Sequence, residues 1–333
     1  MQDTRFKAMV VTETEAKRFQ RALVERTVAD LPDGDVVVKV THSSLNFKDA
    51  LSATGNRGVT RQFPHTPGID AAGVVADSRA AQFSPGQPVI VTSYDLGMNT
   101  DGGFGQYIRV PAGWVIPMPD GFDAHTAMAY GTAGLTAALS ILKLVDGGVQ
   151  PDSGEILVTG ATGGVGSMAV AILAKLGFTV AAVTGKADAA DFLTGIGAAR
   201  VIARAEAVDD SPRPMLKGQW AGVVDTVGGD LLATALKASK PYAVVTCCGL
   251  VASPTLNTSV FPFILRGVSL VGIDSAECPM ATRLRAWNHL AGDWKITVLA
   301  TMVRDVALAD LEPEINLILK GGQRGRVVVR LDR

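Results

Sequence analysis

A glycine-rich segment in the middle of the chain has the composition of a nucleotide-binding turn. The run Thr159-Gly-Ala-Thr-Gly-Gly-Val-Gly166 lies between a strand-like and a helical stretch. Gly164, Gly166 and Ala169 match G-x-G-x-x-A, in which small residues let the backbone approach a pyrophosphate and let helix pack on strand. Backbone N–H groups at the helix start would bind phosphate oxygens. The segment predicts a dinucleotide site; a glycine-rich turn without a ligand is the alternative.

The end of the next strand indicates which dinucleotide binds. Enzymes that use NAD place Asp or Glu about 20 residues after the loop, on the ribose 2′-hydroxyl. Here Thr184-Gly185-Lys186 stands at that position and offers a hydroxyl and a cation. Because a carboxylate there would repel a 2′-phosphate, the segment favours NADP(H). An ordinary surface lysine opening a helix, with Asp188 nearby, is the other interpretation.

Missing residue patterns argue against other chemistries. No Tyr is followed by Lys four residues later, which excludes the active site of short-chain dehydrogenases. There is no C-x-x-C or H-x-x-x-H pattern, and no Cys precedes Cys247. A zinc site built from sulfur and imidazole ligands in the first half of the chain is therefore not expected.

Length and composition limit the class of protein. With 333 residues, two domains are expected, and 47% hydrophobic against 19% charged residues excludes a mainly disordered chain. A formal net charge of −1 gives no basic surface for nucleic acid or an anionic membrane. No stretch of about 20 uninterrupted apolar residues predicts a membrane span. Three cysteines form no disulfide framework, so we expect a reducing cytoplasm.

The elements that must position these residues form two regions. Residues 1–125 contain short β-branched runs separated by Pro and Gly, with one helix predicted over Asn46–Ala53. From residue 126 strand-like and helical stretches alternate, which is typical of a doubly wound parallel sheet. The tail predicts a strand over 296–301, a helix over 308–320 and a strand over 326–331.

This order of elements resembles the medium-chain dehydrogenase/reductase superfamily. Ser43-Ser-Leu-Asn-Phe-Lys-Asp-Ala-Leu51 and Pro67-Gly-Ile-Asp70 are similar to its zinc-free, quinone-oxidoreductase-like branch. Five further segments resemble the acrylyl-CoA reductase group: residues 131–137, 225–228, 261–266, 272–275 and 325–329.

The resemblance implies the fold and the cofactor contacts. It implies an α/β protein with a β-rich GroES-like catalytic domain, residues 1–125 and 298–333, and a Rossmann NADPH-binding domain, residues 126–297. It also implies a homodimer. The implied cofactor contacts are Phe47, Thr136, Thr162, Gly163, Gly164, Val165, Gly166, Thr184, Gly185, Lys186, Arg204, Leu250, Ser253 and Arg326.

The implied reaction is NADPH-dependent reduction of the carbon–carbon double bond of a short α,β-unsaturated acyl-CoA, as in acrylyl-CoA to propanoyl-CoA. Asn46, Lys48 and Asp70 are the predicted catalytic residues, near the alkene and the thioester oxygen that becomes an enolate. In the alternative interpretation Asn46 caps a helix and Lys48 pairs with Asp70. Phe47 replaces the tyrosine usual in the family, so that phenol cannot be the proton donor.

Two other functions fit the same residues. One is an NADPH-dependent quinone or general enone reductase, because it shares the fold and the hydride donor. The other is an NADPH-binding redox sensor without enzymatic activity. The acyl chain and the proton donor stay open at this stage.

Overall fold

The computed structural model describes residues 1–331. The strands are β1 (Arg5–Glu13), β2 (Phe19–Thr27), β3 (Val36–Ser44), β4 (Asp70–Ser78), β5 (Pro88–Thr92), β6 (Tyr107–Val110), β7 (Val115–Pro117), β8 (Ile156–Val158), β9 (Val180–Thr184), β10 (Arg200–Ala203), β11 (Trp220–Asp225), β12 (Ser239–Cys247), β13 (Ser269–Gly272), β14 (Val303–Ala307) and β15 (Arg326–Arg330). The helices are α1 (Phe47–Ala53), α2 (Ala124–Asp146), α3 (Gly164–Lys175), α4 (Ala190–Gly195), α5 (Gly229–Lys237), α6 (Phe261–Arg266), α7 (Met280–Ala291) and α8 (Glu312–Leu319).

The chain forms two compact units, and the first is discontinuous. It comprises Met1–Thr132, Ala276–Met280 and Val303–Arg333, and the second comprises Ala133–Ser275 and Ala281–Met302. These bounds lie a few residues C-terminal to the predicted ones at 125 and 298. The assignment of a catalytic role to one unit and a cofactor role to the other stays a prediction.

The first unit is built on a mainly antiparallel sheet. Its strand order is β14-β15-β3-β4-β5-β7, β6 also pairs with β3, and β1 and β2 form a separate hairpin. Apolar side chains of β3, β4 and β5 alternate into one core, to which Leu45 on the loop after β3 and Ile315 on α8 also contribute. The last strand, β15, lies between β14 and β3 and pairs antiparallel with the end of β3, so residues that are distant in sequence meet there.

Helix α1 is short and held at both ends. It begins after Asn46 and buries Ala50 and Ala53 in the core. At its C-terminal end Arg21 donates a hydrogen bond to the carbonyl oxygen of Ala53 at 3.1 Å, and the same guanidinium pairs with Glu312 at the start of α8. The interior of the helix therefore depends on apolar packing and its ends on specific polar contacts.

The second unit is a doubly wound α/β layer structure. Its six strands are all parallel, in the order β10-β9-β8-β11-β12-β13. Every residue of β8, β9 and β11 is buried, as expected for strands covered by helices on both faces. This order is that of the Rossmann fold, in which ligands bind at the carboxyl ends of the strands. The predicted fold class is confirmed.

Three features of the fold differ from the expectations. The strand predicted over 296–301 is wrong, because Leu299–Met302 forms a 3₁₀ turn and the strand begins at Val303, where it can pair with β15. The hairpin of β1 and β2 and the long helix α2 were not anticipated. By length and composition α2 is apolar enough to cross a membrane, but 83% of its most apolar window is buried inside the protein.

Candidate functional site

Six polar side chains meet inside the first unit: Ser44, Asn46, Asp49, Asp70, Thr132 and Arg326. We call them the buried polar cluster. Thr132 is partly exposed and the other five are buried, although they include two carboxyl groups and a guanidinium. Such a concentration of buried charge requires that its members satisfy one another's hydrogen bonds.

Asp70 lies at the centre of the buried polar cluster. Its carboxylate accepts hydrogen bonds from Ser44 Oγ at 2.5 Å, from Asn46 Nδ2 at 2.8 Å and from Thr132 Oγ1 at 2.6 Å. The guanidinium of Arg326 lies 3.9 Å away. Asp70 is fully buried, so its predicted role as a catalytic residue in contact with substrate does not fit the structure. Its geometry is that of a residue that positions others.

A kink in α2 gives Asp70 a further partner. Gly131 has φ 50° and ψ −156°, which interrupts the helix, and helical structure resumes after it. The backbone N–H of Thr132 then donates to the two carboxylate oxygens of Asp70 at 3.0 and 3.1 Å. The carboxylate thus caps a new helix start, where an anion is favoured.

Asn46 fits the alternative interpretation made from the sequence, in which it caps a helix. It is the N-cap residue of α1, with extended backbone angles. Its side chain, 9% exposed, donates through Nδ2 to Asp70 and, at 3.2 Å, to Asp49, while its Oδ1 accepts from Arg326 Nη1 at 3.2 Å. Both amide protons are therefore engaged inside the protein, and Asn46 has no donor left for a substrate in this conformation.

Asp49 is a site residue that the sequence reasoning missed. Its carboxyl group accepts the N–H groups of Asn46 and Ile69, each at 2.7 Å. The pKa of Asp49 is raised to about 7, mainly by complete burial and to a smaller extent by repulsion from Asp70. The hydrogen bonds from Asn46 and Ile69 lower it but do not cancel these effects. A signal was present: an acidic residue three positions after an N-cap residue is the spacing of a capping box.

Arg326 does not fit its predicted contact with the cofactor. Its side chain is 1% exposed, and its guanidinium donates to the carbonyl oxygens of Ala129 and Leu45 and to the side chains of Asn46 and Ser44. Burial lowers the pKa of Arg326, and the carboxylates of Asp70 and Asp49 act in the opposite direction. Its donors are used within the first unit, where they balance buried negative charge.

Phe47 and Lys48 lie on the outward side of α1. Phe47 is 39% exposed, and Lys48 is partly buried. The alternative ion pair between Lys48 and Asp70 is absent, since Asp70 faces Arg326. Within residues 1–331 the ammonium group of Lys48 makes no hydrogen bond or ion pair, so it is the predicted catalytic residue with free donors.

In the second unit the glycine loop has the geometry expected of a phosphate-binding turn. Gly160, at φ 59°, follows β8, and α3 begins at Gly164 with Gly163 as its N-cap residue. A Cβ atom on Gly166 would lie 2.3 Å from the carbonyl oxygen of Gly160. Only glycine permits this close approach. Gly164, Val165 and Gly166 form the first turn of α3, where backbone N–H groups are available to a phosphate.

The cation predicted to read the 2′-phosphate lies beside this loop. Lys186 Nζ donates to Thr162 Oγ1 at 2.9 Å, and the backbone N–H of Lys186 donates to Thr184 Oγ1 at 3.1 Å. Arg204, exposed at the end of β10, lies over Gly185, where a Cβ atom would be 3.0 Å from the guanidinium carbon. The sequence-predicted residues of this region are therefore brought together, with two cations at the carboxyl ends of β9 and β10.

The other predicted cofactor residues fall in two places. Leu250 and Ser253 line a cavity of about 580 Å³ at the carboxyl ends of β11, β12 and β13, with Cys247 and Ile273 among its other walls. Thr136 is not among its lining residues; it is buried on α2 and donates to Ser275 Oγ at 2.8 Å. Within residues 1–331 no group of three His, Cys, Asp or Glu side chains is placed to hold a metal ion.

These features fit a dinucleotide phosphate. Gly166 and Gly185 have no room for a side chain and pack closely against Gly160 and Arg204. The helix start offers N–H donors, and Lys186 and Arg204 supply positive charge without a carboxylate at the end of β9. A 2′-phosphate would meet cations on two neighbouring strands of the sheet.

Comparison with known proteins identifies both units. Residues 32–120 match the family model of the alcohol dehydrogenase GroES-like domain, and residues 164–289 match that of the zinc-binding dehydrogenases. Acrylyl-CoA reductase AcuI of Ruegeria pomeroyi is 46% identical over 325 residues, which cover 97% of this chain and 98% of that protein. YhfP of Bacillus subtilis, named as a quinone oxidoreductase, is 44% identical over 303 residues, 91% of this chain and 92% of that one.

Solved structures agree with this placement. The YhdH oxidoreductase of Salmonella enterica in complex with NADP is similar with a TM-score of 0.95 at 40% identity, over 98% of this chain and 100% of that one. The structure of Bacillus subtilis YhfP with NAD bound gives a TM-score of 0.96 at 42% identity, over 99% and 100%.

Proposed function

This chain belongs to the medium-chain dehydrogenase/reductase superfamily, in the group of acrylyl-CoA reductase and the YhfP-type oxidoreductases, and we propose that it reduces short α,β-unsaturated acyl-CoA thioesters with NADPH. The observation that carries the proposal is the 46% identity to acrylyl-CoA reductase over nearly the whole chain. The family predicted from the sequence motifs is confirmed.

The second unit would hold the cofactor. The loop from Thr162 to Gly166 would bind the pyrophosphate through backbone N–H groups, and Lys186 with Arg204 would bind the 2′-phosphate. NADPH, when bound, supplies the hydride. The NADP complex of the Salmonella enterica relative supports this cofactor.

The first unit would supply charge stabilisation. As the β-carbon receives hydride, negative charge develops on the thioester oxygen, and a preorganised cation there lowers the barrier. Lys48 is the predicted catalytic residue with free donors, whereas Asn46 and Asp70 are engaged inside the buried polar cluster. We therefore assign the substrate contact to Lys48 and positioning roles to Asn46 and Asp70.

The α-carbon must then take a proton. Phe47 has none to give, and it is exposed at the start of α1. The α-carbon of the enolate is basic enough to take a proton from water, so the reaction needs no side-chain acid. Phe47 then acts by packing against the nicotinamide or the substrate.

A quinone or enone reductase is the second candidate, and the 44% identity to YhfP favours it. The two functions are separated by initial rates of NADPH oxidation with acrylyl-CoA, crotonyl-CoA, the corresponding free enones and simple quinones. A higher kcat/KM for the CoA thioesters supports the proposed function, and a preference for quinones supports the second candidate. If NADPH is not oxidised with any of these compounds, the result supports the third candidate, an NADPH-binding redox sensor without enzymatic activity.

Three further properties belong to the same proposal: a homodimer, a cytoplasmic setting and independence of zinc. The first follows from the family resemblance. The second is supported by three cysteines that are all free thiols. The third is supported by a first unit whose sequence up to Thr132 contains no cysteine.

A further inference from the structure

We infer that Asp49 is a positioning residue for this reaction, which acts by fixing the start of α1 from which Phe47 and Lys48 project. The inference rests on the proposed function and deepens it. It assigns a role to a buried acid that neither the glycine loop nor the predicted catalytic residues explain.

The Asp49 carboxyl group joins two segments of the first unit. Its Oδ2 accepts the N–H of Asn46 at 2.7 Å, and its Oδ1 accepts the N–H of Ile69 at 2.7 Å. Ile69 immediately precedes Asp70, the first residue of β4. One side chain therefore fixes the first turn of α1 against the start of β4.

Asp49 also fixes the orientation of the Asn46 carboxamide. The two protons of Nδ2 point to Asp70 Oδ2 at 2.8 Å and to Asp49 Oδ2 at 3.2 Å, and Oδ1 faces Arg326. The flipped amide would direct its oxygen at two carboxyl groups, so this network permits only one orientation. Asn46 is held on three sides, and the residues that follow it are held with it.

Capping alone does not explain an acid at this position. An N-terminal cap contributes about 1 kcal/mol, and a serine or an exposed acid can provide it. Asp49 is instead fully buried beside a second carboxyl group, an arrangement that burial and like-charge repulsion both disfavour. Costly buried pairs of titratable groups are characteristic of functional sites.

The test compares Asp49→Asn with Ser52→Ala. Asparagine keeps the shape but turns an N–H₂ group toward one of the two N–H donors, so the start of α1 shifts. We expect kcat to fall about tenfold or more, because small misplacements of a reacting group are costly. The Kd for NADPH should change much less than kcat, because the proposed phosphate contacts lie in the second unit and α1 offers the cofactor only the packing of Phe47.

Ser52→Ala is the matched control on the same helix. Its buried Oγ lies 2.7 Å from Thr60 Oγ1 and makes no hydrogen bond to Asn46 or Asp70. We expect this variant to lose stability while kcat stays within about twofold of wild type. If Asp49→Asn loses stability to the same degree and also keeps its kcat, Asp49 is purely structural and the inference is overturned.

A double-variant cycle tests the route of the effect. If Asp49 acts through Asn46, the kcat of the double variant Asn46→Ala/Asp49→Asn equals that of the slower single variant, and multiplying effects contradict the inference. Should Asp49→Asn not fold, Asp49→Ser, which accepts one N–H but cannot bridge two, is expected to show the same loss. The ratio of variant kcat to wild-type kcat is measured with the substrate that the wild-type enzyme reduces fastest. If that substrate is not an enoyl-CoA, the proposed substrate is refuted while the role of Asp49 is still tested.

Discussion

Gly131 lies so close to the Asp70 carboxylate that a side chain at position 131 would not fit. A Cβ atom on Gly131 would lie 2.5 Å from Asp70 Oδ2, 2.6 Å from Ser44 Oγ and 2.9 Å from Arg326 Nη2. The kink that brings the N–H of Thr132 to the carboxylate therefore requires glycine for its φ of 50° and for its lack of a side chain.

Gly131→Ala should consequently be strongly destabilising. Strain at a positive φ costs about 1–3 kcal/mol, and displacement of the Asp70 contacts adds to it. Urea unfolding monitored by circular dichroism measures the loss. Gly113→Ala is the control, because a Cβ atom there meets nothing within 4 Å. Equal stabilities of the two variants would show that the kink tolerates a side chain.

Lys186→Ala should weaken the binding of NADPH but not that of NADH. Loss of a charge-assisted hydrogen bond to the 2′-phosphate should weaken NADPH binding by about 1.5–3 kcal/mol and leave NADH binding nearly unchanged. Fluorescence titration of both cofactors gives the two Kd values. Lys175→Ala, an exposed lysine at the end of α3, should affect neither. Equal losses for NADPH and NADH would show that Lys186 does not read the phosphate.

The raised pKa of Asp49 predicts how stability depends on pH. In the unfolded chain this acid ionises near 3.8, but in the folded protein it keeps its proton up to a pH of about 7. Its contribution to the free energy of unfolding is therefore largest below pH 4 and is lost progressively as the pH rises from about 4 to about 7. Acids with lowered pKa values, such as Asp146, act in the opposite direction.

Asp49→Asn isolates this contribution from the others. The free energy of unfolding of wild type minus that of the variant should decrease between pH 4.5 and pH 8, measured by urea unfolding at each pH. A difference that is constant over this range would mean that Asp49 is ionised throughout.

Lys48 and Tyr94 should contribute very unequally to the rate. Lys48→Ala removes the proposed cation at the thioester oxygen, and the loss of such a group costs roughly 2.7–4 kcal/mol. The ring of Tyr94 is stacked on Trp114 at a centroid distance of 5.5 Å. Tyr94→Phe keeps that stacking and should cost less than about tenfold in kcat, below the range of a lost general acid.

Lys39→Ala, which removes an exposed lysine of β3, is the control for general loss of positive charge in the first unit. The three variants are compared by kcat and kcat/KM with the same enoyl-CoA. A larger effect at Tyr94 than at Lys48, in folded variants that bind NADPH, would reverse the assignment.

Activity should survive exhaustive treatment with EDTA or 1,10-phenanthroline. Up to Thr132 the chain has three histidines and no cysteine, so it lacks the sulfur ligands of a catalytic zinc site. Initial rates before and after chelation, with a zinc-dependent alcohol dehydrogenase as the sensitive control, measure this. Inhibition that added zinc reverses would refute it.

The sequence was informative where the signal is local. The glycine loop, the alternation of strands and helices, and the segment from Thr184 to Lys186 each depend on neighbouring residues, and the structure places them as predicted. The burial of Asp70 and Arg326 was not predicted, because it depends on partners that are distant in the sequence. Asn46 and Arg326 are 280 positions apart, and no pattern of local spacing indicates that contact.

The connection between Ser44 and Arg326 sets an order for folding. Their hydrogen bond joins residues 282 positions apart, so the buried carboxyl groups lack their cation until β15 has been synthesised and has paired with β3. The whole of the second unit lies inside this loop, and closing the loop costs less entropy once the intervening chain is compact. We therefore expect the second unit to fold first and the first unit to be completed late, at a rate limited by its long-range strand pairing.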